Sequence, residues 1–160
     1  MTKKPRAKRP RLKRFTYKGQ YRYFLILCTK GRENYFQDRE IINLILAVLK
    51  EKSEKEKFKV WAYCFMPDHL HLVVEGLDNN CDLKRFVFRF KQKSGYLASK
   101  RNRIVLWQKS YYDHVLRKEE DLKEVCKYTW ANPVRKGLVQ DYKEFPFSGS
   151  LVKGIWGCHL

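Results

Sequence analysis

Met66-Pro67-Asp68-His69-Leu70-His71-Leu72-Val73-Val74 is the stretch on which the fold and chemistry of this 160-residue chain turn. Side chains alternate across a strand, so His69 and His71 share one face while Leu70, Leu72 and Val74 share the other. Two imidazoles at this separation bring both lone pairs within reach of one divalent ion, and the apolar underside asks for helices against it. Phe58 to Phe65 reads as the preceding strand and Met66-Pro67-Asp68 as a tight connection, which makes an antiparallel hairpin. A His-x-His pair also arises as two hydrogen-bonded surface histidines, so its meaning depends on what else the chain supplies.

The second cluster is Lys127-Tyr128-Thr129-Trp130-Ala131-Asn132-Pro133. On a helix, Tyr128 and Asn132 stand four residues apart and present a phenol and an amide oxygen on one face. Leu122, Val125, Cys126 and Thr129 form the buried stripe of the same helix, read from Glu119 to Ala131. Glu119, Glu120 and Asp121 suit its dipole, but no capping residue precedes Glu119. Pro133 disfavours helical geometry at Asn132 and ends the helix there.

The remaining elements follow outward from these two. Tyr21 to Thr29 reads as a first strand. Asp38 caps a helix carrying Ile41, Leu44, Ile45, Val48 and Leu49 at the 3.6 period. Leu83, Phe86, Val87, Phe90 and Leu97 predict a second helix from about Asp82 to Lys100, and Ile104 to Leu116 reads as the last strand. The order βαββαβ followed by α is the split βαβ, ferredoxin-like arrangement. This α+β class has a four-stranded antiparallel sheet with two helices on one face, and the last helix is free to lie over the other.

Residues 1–14 hold eight Lys or Arg and two Pro, and read as a disordered basic arm; residues 15–150 form one domain and 151–160 a tail. The net charge of +18 makes a polyanion, by default nucleic acid, the expected partner. Lys3, Lys4, Arg6, Lys8, Arg9 and Arg11 are the arm's candidate phosphate contacts. Between Lys84 and Arg103 there are eight Lys or Arg and no acid, so Lys84, Arg85, Arg89, Lys91 and Lys93 are expected along a phosphate backbone, joined by Arg135 and Lys136. Five cysteines without Cys-x-x-Cys spacing read as reduced core residues. No membrane span or hydrophobic signal region is expected, which places the protein in the cytoplasm, associated with the nucleoid, as a monomer or weak dimer.

Three segments together resemble a known family: Pro67 to Val74, Trp107-Gln108-Lys109-Ser110-Tyr111-Tyr112-Asp113-His114-Val115-Leu116-Arg117, and Tyr128 through Asn132-Pro133-Val134-Arg135-Lys136-Gly137-Leu138-Val139. They look like the REP-associated tyrosine transposases, relatives of the single-tyrosine insertion-sequence transposases within the HUH endonucleases, over about residues 20–150. The resemblance implies an HUH fold with a catalytic last helix that cuts and rejoins single-stranded DNA beside palindromic hairpins through a 5′-phosphotyrosine. It also implies that His69, His71 and Asn132 bind a metal and that Tyr128 is the nucleophile. The insertion-sequence relatives commonly carry Gln at the last ligand, so Asn132 points to the REP-associated branch.

Chemistry adds its own requirements. A tyrosine hydroxyl ionises near pKa ~10, so attack at neutral pH needs a base or nearby positive charge, with Lys127, Arg117 and a metal-bound water as candidates. Two imidazoles and an amide suit manganese on softness, and abundance favours magnesium. Tyr112 is a candidate to stack on a base, His114 to touch DNA or orient a ligand, and Asp68 to support a histidine or make a turn. The competing function is a non-catalytic single-strand DNA- or RNA-binding module of the same topology, which would carry aromatics where this strand has His69 and His71.

Overall fold

A computed structural model describes residues 12–155. The strands are β1 (Arg22–Cys28), β2 (Phe58–Met66), β3 (His69–Gly76), β4 (Tyr112–Val115) and β5 (Ser148–Gly149). The helices are α1 (Arg39–Lys55), α2 (Leu83–Asn102), α3 (Leu122–Trp130) and the single turn α4 (Asn132–Arg135). The sheet runs β4-β1-β3-β2-β5 and every neighbouring pair is antiparallel. Its first four strands stand in the ferredoxin-like order, which puts β3 and its histidines in the interior. The two-residue β5 is an addition that no alternation could announce; it pairs with Tyr63 and Cys64 at the edge of β2.

Each face of the sheet has its own cover. Leu25, Leu27, Leu70, Leu72 and Val74 pack with Ile45, Leu49, Phe86 and Phe90 of α1 and α2 in the larger core. Asp38 Oδ1 accepts from Glu40 N (2.8 Å) to start α1, and Asp82 Oδ1 accepts from Arg85 N (3.1 Å) to start α2. On the opposite face Ala62 and Val73 pack with Cys126 and Trp130 of α3. A register shift between Val60 and Ala62 lets β2 serve both layers. Val60 faces the larger core, and one bulge later Ala62 faces α3, although strict alternation would point both the same way.

Two expected elements differ from what forms. The strand expected over 104–116 is regular only at Tyr112–Val115. Before it the chain crosses the end of β1 through Lys30 N to Leu106 O and Gln108 N to Cys28 O, both 2.9 Å. These bonds flank an isolated bridge between Thr29 and Trp107, whose side chain enters the core and donates from Nε1 to Ser94 Oγ (2.9 Å). The last helix begins at Leu122, not Glu119, because Asp121 is its cap and accepts from Lys123 N (2.8 Å). Its end before Asn132 is as expected. After Ala131 the chain restarts as α4 with Pro133 in its first turn, where a missing N–H costs nothing, and Asn132 is buried at the junction.

Candidate active site

β3 places His69 and His71 on the face covered by α3, with their Nε2 atoms 3.0 Å apart. His69 Nδ1 donates to Asp68 Oδ1 (2.6 Å), and Arg32 Nε holds the other carboxylate oxygen at 2.9 Å. Arg32 reaches it from a left-handed conformation, φ 59°, in the turn after β1. Because the Nδ1 of His69 carries the proton, its Nε2 offers a lone pair. Asn132 Nδ2 donates to His71 Nε2 (2.5 Å), which makes that nitrogen an acceptor as well. His71 Nδ1 is buried without a partner among the described residues.

Both imidazoles are held neutral. Burial lowers the His71 pKa to about 3, helped by His69, Arg135, Lys136 and Arg32. Burial also lowers that of His69, against the pull of Asp68. Two neutral acceptors facing each other at 3.0 Å favour a cation between them, and this is about the edge of an octahedron whose ligands lie at ~2.1 Å. Among the described residues no group of three or more His, Cys, Asp or Glu could hold a metal, and the side chain that lies against His71 Nε2 is the Asn132 amide. Cys64, opposite His71 in the ladder, is no thiolate, because burial pushes its pKa up to about 12.

α3 presents Tyr128 beside this cluster, 56% exposed. Its ring meets Phe24 edge-on with centroids 6.4 Å apart. The Arg135 guanidinium lies over the ring, 3.8 Å from the centroid. Arg135 also donates to Tyr128 O (2.9 Å) and Asn132 Oδ1 (3.3 Å). Next to the phenol a groove of about 390 Å³ is lined by Phe24, His114, Glu120, Asp121, Glu124, Val125 and Tyr128.

The IS200-like transposase model matches residues 17–131, which spans both strands of the histidine hairpin and α3 through Tyr128. The chain belongs to the IS200-like transposase family. Among curated relatives, a REP-associated tyrosine transposase of Escherichia coli is 23% identical over 126 residues, 79% of this chain and 74% of its own. A Haemophilus influenzae protein that carries that designation provisionally is 28% identical over 145 residues, 84% of this chain and 81% of its own. The fold is shared with a REP-associated tyrosine transposase solved bound to a REP hairpin, with TM-score 0.72 and 18% identity, covering 88% of this chain and 82% of that one.

Within this transposase fold the other expected site residues divide sharply. Tyr112 packs edge-on against Phe24 at 6.4 Å, and His114 Nε2 pairs with Glu120 at 2.9 Å. The Arg117 backbone N–H donates to Glu120, and Lys127 pairs with Glu124 at 3.2 Å. The α2 cations lie across the sheet from the histidines, and the expectation that no acid offsets them is corrected by α1. Glu56, its C-cap, takes both Arg85 and Arg89, and Glu51 takes Lys93. Lys91 Nζ donates to Gln108 O (2.6 Å), and Lys84 lies 5.2 Å from the Tyr17 ring centroid. Lys136 is exposed at the end of α4, whereas Lys3, Lys4, Arg6, Lys8, Arg9 and Arg11 lie outside the described residues. No helix among the described residues is long and apolar enough to cross a membrane. Sequence reasoning missed Arg32 and Phe24, since neither lies in a chemical motif and only strand pairing brings them to the site.

Proposed function

We propose that this transposase cuts and rejoins single-stranded DNA beside a hairpin, with Tyr128 as nucleophile and His69, His71 and Asn132 holding one Mg²⁺ or Mn²⁺. The observation that carries this reading is the convergence of the two neutral Nε2 atoms and the Asn132 amide beside an exposed phenol. Asn132 serves as a ligand once its amide turns to exchange Nδ2 for Oδ1, a rotation that keeps its volume. A bound divalent ion would polarise the scissile phosphate and offset the charge that develops on it.

The Tyr128 oxygen, having lost its proton, attacks phosphorus. The bond from phosphorus to the 3′ oxygen breaks, and that oxygen leaves as a 3′ hydroxyl after taking up a proton. The DNA 5′ phosphate is then esterified to Tyr128. Attack by a 3′ hydroxyl on this ester reverses the exchange and returns the phenol, so rejoining needs no ATP. The groove beside Tyr128 has apolar walls from Phe24 and Val125 and an acidic rim, which suits a base better than a phosphate.

The binding-module alternative is disfavoured, because α3 covers the sheet face on which such a module would stack bases. The test is incubation with labelled hairpin oligonucleotides, with and without Mn²⁺ or Mg²⁺, scored for a denaturant-resistant adduct. A metal-dependent adduct that Tyr128→Phe abolishes, while hairpin affinity stays within about twofold, is the expected result. An adduct that survives in Tyr128→Phe overturns the assignment.

A further inference from the structure

We infer that Arg135 is the positioning residue of the phenol, rather than one more phosphate contact of a basic protein. The inference rests on the proposed role of Tyr128. Tyr128 is on an exposed helical face, where a two-angle side chain is free to leave its rotamer unless something holds it. Phe24 touches the ring only edge-on at 6.4 Å. The Arg135 guanidinium covers it at 3.8 Å, a distance at which a planar cation stacks on a π-face.

The same group bridges the break in the chain. Its Nη2 donates to Tyr128 O, a carbonyl near the end of α3 whose helical partner is lost where Asn132-Pro133 restarts the chain as α4. That nitrogen lies also within 3.3 Å of Asn132 Oδ1. One side chain therefore fixes the ring and ties α3 to α4, so the phenol is set by a single anchor. Lysine is a point charge without a planar fork and cannot stack on the ring while bonding the Tyr128 carbonyl.

The experiment measures single-turnover adduct formation at saturating hairpin, hairpin Kd as a function of salt, and the ¹⁹F spectrum of fluorotyrosine at position 128 in the DNA-free protein. Wild type, Arg135→Lys and Arg135→Ala are compared. Both variants are expected to lose about 10- to 100-fold in rate, as for a misplaced reacting group, with Kd and salt slope unchanged. The ¹⁹F resonance should move and narrow toward a free phenol. Full rate with Arg135→Lys, or a salt slope flattened by ~0.7 with the saturated rate intact, would make Arg135 a phosphate contact and overturn the inference. If Arg135→Ala does not fold, Arg135→Lys decides. If wild type forms no Tyr128 adduct, the proposed function fails, while an unmoved ¹⁹F resonance in Arg135→Lys refutes the anchor by itself.

Discussion

On the face covered by α1 and α2, the arginines at 85 and 89 both end on Glu56, whose side chain is only 4% exposed. On the face covered by α3, Arg135 ends on a tyrosine ring and two oxygens, and Lys136 has no carboxylate partner among the described residues. Both faces belong to a chain of net charge +18, yet in the first the charge is spent on holding helices together and in the second it stands beside neutral histidines. A count of cations does not separate these uses. What separates them is the group each cation ends on, which is a property of the fold.

The largest effect that tests this contrast is expected at His71. His71→Ala removes one of two converging lone pairs and should reduce metal-dependent adduct formation by more than ~1,000-fold, with hairpin binding retained, because the loss falls on transition-state charge rather than on docking. Rate and affinity measured on the same preparation check it. Equal losses in both would make His71 a structural residue and blur the contrast between the faces.

Glu56→Gln probes the other face and comes second. It leaves Arg85 and Arg89 against an uncharged amide in a buried position, at a cost of about 2 kcal/mol in unfolding free energy, with the adduct rate per folded molecule unchanged. Burial raises the Glu56 pKa, but its bonds to Arg85 and Arg89 outweigh this and leave it below the usual 4.5. A carboxyl depressed in the folded state stabilises above its unfolded value and loses that contribution as pH falls through its folded one. Denaturant titrations should therefore show wild type losing stability below pH ~4.5, and Glu56→Gln losing less. A parallel decline in both proteins would mean that the Glu56 cluster is not what acid disrupts.

How much of this was legible beforehand follows the same division. Strand alternation put His69 and His71 on one face, and helical spacing put Tyr128 and Asn132 together, because both are local periodicities that a chain carries in its residues. The ferredoxin-like order followed from counting elements. Glu56 lies 29 residues from Arg85, and Arg32 lies 36 from Asp68, so these pairs are set by packing and strand registry alone. The cap at Asp121 was hidden by the acids before it, since Glu119 and Glu120 look equally suited to a helix start. Trp107 misled because an aromatic in a strand-like run is indistinguishable by composition from one that dives into the core.

The smallest expected effect sharpens the comparison most finely, because it asks what two lysines do to the same observable. Lys93 is paired with Glu51, whose carboxyl its hydrogen bond helps to draw down to about 2, while Lys136 is exposed beside the histidines. A lysine already neutralised by a carboxylate makes no phosphate contact when DNA arrives, so it displaces none of the cations condensed on the DNA. Lys93→Gln should therefore leave the dependence of log Kd on log salt unchanged, and Lys136→Gln should flatten it by ~0.7, one single-strand phosphate contact. Titrations of one hairpin at several salt concentrations decide it. A flattened slope for Lys93→Gln would show that DNA displaces Glu51 and takes the α2 face for itself, and the two faces would then differ in sequence of use rather than in kind.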